Sequence, residues 1–282
     1  MRSVEEHGPA RRSFAPLRKA RVWIDASGRP GWLNMAIDHA LLERAEAGEW
    51  WLRLYAWDPA CLSFGRHEPA ARRYNADRIA ALGLSVVRRP TGGRAVWHGR
   101  ELTYAVAGPI GGLGTLAQLY REIHTMLRDA LRALGAPAEL APAQRGAPVD
   151  AGACFASPAG GEVLVAGRKV VGSAQLRQGA AFLQHGSVLL EDDQAMVGRV
   201  TRGTAPPDLS APLSRYLGRP PRWAEVAEAV AAAAGARWGS AAERVPPPAS
   251  LLQRAVRRGG RFRSAEWTWA GTTSADGIPP PC

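Results

Sequence analysis

Lysine is nearly absent from this chain of 282 residues, in which only Lys19 and Lys169 are lysine among 36 Lys and Arg residues. Arginine serves almost every need for a positive surface charge here. A lysine in the body of the chain therefore suggests a site that requires a compact ammonium rather than a planar guanidinium. Lys169 lies in a run of residues typical of a strand. The alternative interpretation is that Lys169 is an ordinary turn residue.

The chain also lacks long apolar runs and a secretory signal. No run of about 18 apolar residues occurs, so we expect no membrane-spanning helix and no membrane partner. Residues 1–20 carry scattered charges without an apolar segment, which predicts a disordered N-terminal extension rather than a signal peptide.

Cysteine is scarce. Cys61, Cys154 and Cys282 are too few and too widely spaced for a disulfide framework or a zinc cluster. We therefore expect no bound metal and a reducing, cytoplasmic location. Cys61 lies in an apolar run, which predicts a packed strand residue.

Acidic residues are fewer than basic ones, with 25 Asp and Glu against 36 Lys and Arg, so the formal net charge is +11. Such a balance is compatible with a basic nucleic-acid-binding module, with steering of acidic protein partners, or with an arginine-rich composition that has no function of its own. The arginines are spread along the chain and no nucleic-acid-binding motif is present, so we expect no nucleic-acid partner.

Periodic patterns indicate an α+β fold. Residues 115–134 have the apolar spacing of an amphipathic helix that Thr115 caps and Gly135 ends. Further helices are predicted over residues 34–47, with Asn34 as the cap, and over residues 223–234. Strands are predicted over residues 52–56, 85–89, 101–107 and 182–190, with a hairpin over residues 162–175 that turns at residues 166–167. We expect these strands to pair mainly through hairpins.

The last part of the chain has a different composition. From residue 244 onward Pro, Gly and Arg accumulate. We therefore expect residues 21–243 to form one folded domain and residues 244–282 to form a peripheral or disordered tail.

One candidate site lies in a turn with paired glycines. A predicted strand carries Arg88 and Arg89 into this turn, which continues through Gly92, Gly93 and Arg94 to His98. Paired glycines let a ligand approach the backbone closely and expose N–H groups to an acyl carbonyl or a phosphate. The motif is weak by itself, since most such turns are hairpins, and it is neither a Walker loop nor a dinucleotide fingerprint.

A second candidate site combines Cys154 with Lys169. Cys154 lies among small residues typical of a loop, 15 positions before Lys169. A nearby ammonium stabilises a thiolate and so lowers the pKa of a thiol, whereas most cysteines are buried and inert. A loop of this length is long enough to fold back onto the hairpin that carries Lys169.

Two histidines are ambiguous. His98 follows the glycine turn, and His185 follows the segment that contains Gly172, Ser173 and Gln175. Either histidine is a candidate base, although a histidine flanked by strands is more often a structural donor. Neither has a carboxylate nearby in the sequence to orient it, so a Cys-His-Asp triad is not indicated.

Six short motifs in order resemble the lipoate/biotin protein-ligase catalytic family. They are Asn34-Met-Ala-Ile-Asp38, Leu62-Ser-Phe-Gly-Arg66, the segment from Arg88 to His98, Glu101-Leu-Thr-Tyr104, Gly167-Arg-Lys-Val-Val-Gly-Ser-Ala-Gln175 and Leu183-Gln-His-Gly-Ser187. The resemblance implies a mixed, mainly antiparallel sheet flanked by helices. It also implies one acyl-binding cleft whose substrate-binding residues are Arg89, Gly92, Gly93, Arg94, His98, Gly172, Ser173, Gln175 and His185.

Two reaction types occur in that family. The ATP-dependent lipoate and biotin ligases form an acyl-adenylate, use ATP and Mg²⁺, and usually have a third glycine where this chain has Arg94. The residues around Cys154 instead resemble the cysteine-loop octanoyltransferases of lipoyl synthesis, which need no cofactor. That resemblance implies that Cys154 is the acyl-thioester nucleophile and Lys169 its activator. It also implies two partners, octanoyl-acyl carrier protein and a lipoyl-accepting protein such as the glycine-cleavage carrier protein or a dehydrogenase lipoyl domain.

Three residues depart from the family pattern. His39 replaces a glutamate, Gly99 replaces an acidic residue and Ala105 replaces a serine. We expect these positions to flank the cleft, where they bear on substrate preference more than on the class of reaction.

Overall fold

The computed structural model describes residues 20–111, 114–142, 161–191, 194–204, 210–239 and 243–271. The strands are β1 (Arg21–Arg29), β2 (Trp51–Trp57), β3 (Cys61–Phe64), β4 (Ser85–Arg88), β5 (Val96–His98), β6 (Glu101–Pro109), β7 (Ala138–Leu140), β8 (Val163–Val165), β9 (Arg168–Lys169), β10 (Val171–Gln178), β11 (Ala181–Leu189) and β12 (Glu243–Arg244). The helices are α1 (Gly31–Glu46), α2 (Ala70–Arg73), α3 (Ala76–Ala81), α4 (Leu116–Ala133), α5 (Ala195–Val200), α6 (Ser214–Leu217), α7 (Trp223–Trp238), α8 (Ala249–Arg258), α9 (Gly260–Arg263) and α10 (Ala265–Ala270).

A mixed sheet of six strands forms the centre, in the order β10-β11-β6-β2-β1-β12. The pairs β10–β11, β11–β6 and β6–β2 are antiparallel, whereas β1 is parallel to β2 and to β12. Two sheets of three strands accompany it, in the orders β4-β3-β5 and β7-β8-β9. The predicted α+β class, with a mixed and mainly antiparallel sheet flanked by helices, is confirmed.

Strand alternation divides the core into two layers. In β2, Leu52 and Leu54 face the cluster that contains the buried residues of α4 and α7, whereas Trp51 and Tyr55 face the cluster that contains those of α1 and α8. Successive side chains of a strand point to opposite faces, so each strand supplies both layers.

Most predicted elements are present, with shifted ends. Thr115 caps α4 in a capping box with Gln118, and the hairpin turns at Ala166 and Gly167, both of which have positive φ. Helix α7 continues to Trp238, four residues beyond the predicted end. Cys61 is buried in β3, as predicted, and burial raises the pKa of its thiol.

The predicted cap of the first helix is wrong. Helix α1 begins at Gly31 after Pro30, and no side chain caps it. The amide of Asn34 instead donates to the carbonyl oxygens of Arg29 and Ala56, each at 3.1 Å. Asn34 therefore joins the start of α1 to the ends of β1 and β2, because its buried position demands tertiary partners.

The expectation of a peripheral or poorly ordered tail is wrong for residues 249–270. Helices α8, α9 and α10 lie there, and their residues Leu251, Ala255, Phe262 and Trp267 are buried in the same cluster as α1. Few apolar residues anchor these helices, and Pro, Gly and Arg surround them. The apolar spacing that predicts a helix was therefore not recognised in this part of the sequence. Residues 1–19 and 272–282 of the predicted extension and tail lie outside the described residues.

No helix in the described ranges is both long and apolar enough to cross a bilayer.

Candidate active site

A cleft with about 320 Å³ of empty space, part of it open to solvent, lies between the central sheet and the β4-β3-β5 sheet. Five of the predicted substrate-binding residues line it, namely Arg89, His98, Gly172, Ser173 and His185. The remaining wall is mainly apolar or aromatic and includes Met35, Tyr55, Trp57 and Val96.

The predicted residues Gly92, Gly93, Arg94 and Gln175 are not among the residues that line the cleft. Arg89 connects Gly92 and Arg94 to the cleft. Its guanidinium donates to the carbonyl oxygens of Gly92 at 3.0 Å and Arg94 at 2.8 Å, and to the hydroxyl of Ser63 at 2.7 Å. Arg89 therefore holds the glycine turn against β3, and this structural role was not predicted.

The glycines of the turn permit a close backbone crossing. Gly93 has a φ of 91°, and a Cβ added at Gly65 would lie 1.8 Å from the Gly93 carbonyl oxygen. No side chain fits between these two backbones, so Gly65 is as necessary as the predicted Gly93.

His98 is oriented by groups at both ring nitrogens. Its Nδ1 lies 2.7 Å from Oε1 of Glu101, and its Nε2 lies 2.6 Å from the hydroxyl of Ser63. The ring stacks on Trp57 with the centroids 4.0 Å apart. His98 therefore presents part of its ring to the cleft while both nitrogens are engaged.

His185 has the same type of arrangement. Its Nδ1 lies 2.9 Å from Oδ2 of Asp38, and its Nε2 lies 2.6 Å from the hydroxyl of Thr91. Burial lowers the pKa of His185 below the ordinary histidine value, and the hydrogen bond and charge of Asp38 oppose this effect.

The prediction that neither histidine has a carboxylate nearby in the sequence is wrong for His98, whose partner Glu101 is three residues away. For His185 the partner is Asp38, which lies 147 positions away in the sequence. The hydroxyls at the other ends, Ser63 and Thr91, are buried and do not line the cleft, so neither arrangement is a nucleophile triad.

A buried arginine that was not predicted supports Asp38. Arg53 is fully buried and donates to Oδ1 of Asp38 at 3.0 Å, to Oδ2 of Asp25 at 2.7 Å and to Oδ1 of Asn34 at 2.7 Å. Its guanidinium also lies 3.9 Å from the ring centroid of Tyr55. The signal for this residue was an arginine in the middle of the otherwise apolar strand β2.

Ser173 belongs to a chain of neutral hydrogen bonds that begins in the cleft wall. The Nδ1–H of His124 donates to the carbonyl oxygen of Gly161 at 2.8 Å, so its Nε2 accepts from the Ser173 hydroxyl at 2.8 Å. Ser173 in turn accepts from Tyr104 at 2.6 Å. Tyr104 accepts from Gln184, and Gln184 accepts from the predicted residue Gln175.

His124 was not predicted, because it lies within the apolar face of α4. Burial lowers its pKa to about 3, and the positive charge of Lys169 contributes to the decrease. The imidazole is therefore neutral at ordinary pH and acts as a fixed donor and acceptor.

Lys169 is buried in an ion pair. Its Nζ lies 2.5 Å from Oε1 of Glu162, and each of the two side chains is 6% exposed. Glu162 follows Gly161, whose carbonyl accepts from His124. The ion pair therefore lies beside the part of the cleft wall that Ser173 forms.

Cys154 lies outside the described residues, together with the rest of residues 143–160. The chain on both sides of this segment is held together, because Gly161 N donates to the Ala141 carbonyl at 2.9 Å and Ala141 N donates to the Glu162 carbonyl at 2.7 Å. The described residues Ala141 and Gly161 therefore lie next to Glu162 of the ion pair. The predicted contact between Cys154 and Lys169 stays a prediction.

The three departures from the family pattern lie outside the cleft lining. Ala105 pairs with the cleft residue His185 across β6 and β11, and Gly99 directly follows the cleft residue His98. His39 instead lies against Phe262 of α9, with the ring centroids 6.2 Å apart.

Comparison with known proteins gives one family match, since residues 30–235 match the model of the lipoyl protein ligase A/B catalytic domain. The chain is 44% identical over 179 residues to octanoyltransferase LipM of Kyrpidia tusciae, a match that covers 60% of this chain and 65% of that protein. It is 39% identical over 227 residues to octanoyltransferase LipM of Symbiobacterium thermophilum, which covers 74% of this chain and 83% of that protein.

The fold is similar to that of solved ligases. A lipoate-protein ligase A bound with ATP superposes with a TM-score of 0.76 and 18% identity, over 90% of this chain and all of that one. Protein Ta0514 of Thermoplasma acidophilum, solved with bound lipoic acid, superposes with a TM-score of 0.73 and 17% identity, over 89% of this chain and 99% of that one. At such identities the likeness establishes the fold alone.

Proposed function

The chain belongs to the lipoyl protein ligase A/B catalytic domain family, and from this premise we propose that it is a protein octanoyltransferase of lipoate biosynthesis. In this proposal octanoate moves from octanoyl-acyl carrier protein to Cys154 and from there to a lysine of a lipoyl-accepting protein. The observation that carries the proposal is the buried ammonium of Lys169 beside the cleft. Relatives named octanoyltransferase LipM, at 36–44% identity, support it.

The first half-reaction is an attack of the Cys154 thiolate on the donor thioester. The sulfur forms a bond to the acyl carbon, and the carrier's own sulfur leaves as a thiolate that takes up a proton. Lys169 stabilises the negative charge on Cys154 and donates a hydrogen bond to the oxyanion that develops on the acyl oxygen.

The second half-reaction transfers the octanoyl group to nitrogen. A neutral amine of the acceptor protein attacks the Cys154 thioester, the C–S bond breaks, and the proton lost by the amine balances the charge of the departing thiolate. Since a thioester is already activated toward amines, the step needs no ATP.

The cleft supplies the binding surface for the octanoyl chain. Met35, Trp57 and Val96 offer apolar contacts to the eight-carbon tail. We propose that His98, His185, Gly172 and Ser173 contact the substrate directly.

The glycine turn contributes through Arg89, which lines the cleft. In this proposal Arg89 acts by holding Gly92, Gly93 and Arg94 in place, and Gln175 acts through the chain of hydrogen bonds that ends at Ser173. Octanoyl-acyl carrier protein and a lipoyl-accepting protein are the proposed partners.

Incubation of the protein with octanoyl-acyl carrier protein, with and without ATP, tests the proposal. We expect the wild type to acquire one octanoyl group by intact mass without ATP, and hydroxylamine to remove it because a thioester is labile to that nucleophile. Cys154→Ala should lose the adduct, whereas Cys61→Ala, which changes a cysteine buried in β3, should keep it. An undiminished adduct in Cys154→Ala, or a strict need for ATP, would show that the assignment is wrong.

A further inference from the structure

Arginines from two distant segments form one basic patch on the side of the β4-β3-β5 sheet that faces away from the cleft. We call it the arginine patch, and it consists of Arg72, Arg73, Arg78, Arg199 and Arg202. We propose that the arginine patch is the surface on which the acidic donor, octanoyl-acyl carrier protein, docks. This inference rests on the proposed function, and it adds a binding surface that lies outside the cleft.

The fold brings the two segments together, although 121 positions separate Arg78 from Arg199 in the sequence. The guanidinium of Arg78 donates to the Arg199 carbonyl at 2.9 Å. The N–H of Arg202 donates to the Arg73 carbonyl at 2.8 Å. These bonds hold the main chains of the two segments side by side, so the arginines share one surface.

The arginine patch has little compensating charge. Residues 69–84 and 195–204, which carry it, contain one acidic residue, Asp77. Four of the five arginines are exposed and Arg73 is half-buried, and none of them forms an ion pair with a residue in the described ranges. On α8, by contrast, Arg254 and Arg258 both pair with Glu43. Clustered like charges repel one another, so carboxylates of a partner would relieve this repulsion on binding.

Strand alternation shows on which side of the sheet the arginine patch lies. Val96 and His98 of β5 line the cleft, whereas Trp97 between them points to the opposite side. There Trp97 packs with buried residues from the end of α2, from α3 and from α5, namely Tyr74, Ile79 and Val200. These helices carry the arginines, and they therefore separate the arginine patch from the cleft by the thickness of one sheet.

This separation favours the donor over the acceptor as the docked protein. Packed layers of secondary structure lie about 10 Å apart. A carrier protein presents its thioester on a flexible prosthetic arm several times longer than a lysine side chain, so it can dock at a distance from the cleft. An acceptor protein has to bring its lysine into the cleft on a short side chain, so it has to dock at the cleft opening.

The chemistry of the arginine patch favours an acidic protein over a nucleic acid. A guanidinium binds a carboxylate through two parallel hydrogen bonds. Proteins that bind single-stranded nucleic acid add exposed aromatic rings on which the bases stack. The one aromatic residue in the two segments is Tyr74, and it is buried.

Arg72→Glu combined with Arg199→Glu is the direct test, because neither side chain forms a hydrogen bond to a residue that the structure describes. With octanoyl-acyl carrier protein, the rate constant for forming the hydroxylamine-labile adduct, followed by intact mass, should fall by at least about tenfold. S-octanoyl-pantetheine presents the same thioester without the carrier protein, and its rate constant should stay unchanged. Added salt should slow the carrier reaction of the wild type more than that of the variant.

Arg177→Glu combined with Arg257→Glu is the matched control, since it lowers the net charge by the same amount. Both arginines are exposed, Arg177 near the tip of the β10–β11 hairpin and Arg257 on α8. This variant should keep the wild-type rate constant with octanoyl-acyl carrier protein. If Arg72→Glu with Arg199→Glu does not fold, Arg72→Gln with Arg199→Gln replaces it and should slow the reaction with the carrier protein alone.

The outcomes separate this inference from the proposed function. If the wild type forms no labile adduct with octanoyl-acyl carrier protein, the proposed function is wrong and the docking surface has no donor. If the wild type forms that adduct and the folded patch variant reacts at the same rate, the proposed function stands and the docking surface is refuted.

Three further results would also refute the docking surface. An equal loss of rate with S-octanoyl-pantetheine would show that the substitutions damage the cleft. Slower transfer from the preformed adduct to the acceptor, with normal adduct formation, would assign the arginine patch to the acceptor protein. Loss of affinity for a short DNA duplex, with normal adduct formation, would assign it to nucleic acid.

Discussion

His124 shows how burial determines the chemistry of a single side chain. It is fully buried on α4, it donates to a backbone carbonyl through Nδ1, and it accepts from Ser173 through Nε2. Burial lowers its pKa from the ordinary 6.5 to about 3, so the folded protein holds it neutral. A histidine in this state stabilises the structure as a neutral hydrogen-bonding group and does not act as a base.

The depressed pKa of His124 makes stability depend on pH. The unfolded chain binds a proton at this histidine below about pH 6.5 and the folded chain does not, so stability falls as the pH decreases from 6.5 toward 3. Between pH 7 and 5 this one group should reduce the free energy of unfolding by about 2 kcal/mol. We therefore expect His124→Gln to lose about 2 kcal/mol less than the wild type over this interval, measured by urea unfolding.

His67→Gln is the control for that measurement, because His67 is exposed. This variant should lose as much stability as the wild type over the same interval. Equal losses in His124→Gln and in the wild type would contradict the neutral, buried state of His124.

At the scale of secondary-structure elements, Arg88 joins the end of β4 to helix α10. Its guanidinium donates to the carbonyl oxygens of Trp267 at 2.8 Å, Gly65 at 2.7 Å and Glu68 at 2.8 Å, and the indole of Trp267 donates back to the Arg88 carbonyl at 3.1 Å. Arg88 is 1% exposed. The arginine that the sequence places at the glycine turn therefore also fixes α10, and α8 to α10 become part of the folded unit.

Arg88→Lys should therefore destabilise the protein although it preserves the charge. An ammonium donates from one atom and cannot replace a guanidinium that donates in several directions, so buried carbonyls lose their partners. We expect the free energy of unfolding to fall by about 3 kcal/mol.

Arg244→Lys is the matched control, since Arg244 forms an exposed ion pair with Glu228 and such pairs contribute little. Urea unfolding of both variants tests the expectation. Equal midpoints for Arg88→Lys and the wild type would contradict the structural role of Arg88.

At the scale of the whole molecule, the formal net charge of +11 acts beyond any single contact. A positive protein attracts acidic partners from a distance, and salt screens this attraction over a length of about 8 Å at physiological ionic strength. In the proposed function this charge would act on association with an acidic carrier protein and not on the chemistry in the cleft.

The rate of octanoyl transfer should therefore depend on salt. With octanoyl-acyl carrier protein as the donor, we expect kcat/KM to fall by about tenfold or more when salt is raised from low to high ionic strength. An uncharged small octanoyl thioester provides the control and should show little change. Equal salt dependence for the two donors would rule out electrostatic steering.

The periodic elements could be predicted because their signals are local. The spacing of apolar residues and the Thr115 cap indicated α4, and the Ala166-Gly167 turn indicated the hairpin that carries Lys169. The helices α8 to α10 could not be predicted in the same way, since their burial depends on distant partners such as Arg88.

The sequence by itself determined which reactive groups exist, including one lysine in the body of the chain. It also determined most of the stretches that form strands and helices, because periodicity is a property of residues that are close in the sequence. Only the tertiary structure decided that Asp38 orients His185, that Arg89 holds the glycine turn, and that Glu162 contacts Lys169. A hydrogen bond or ion pair needs atoms within about 3 Å of each other. Residues that are distant in the sequence reach that separation only where the packing of strands and helices brings their backbones together.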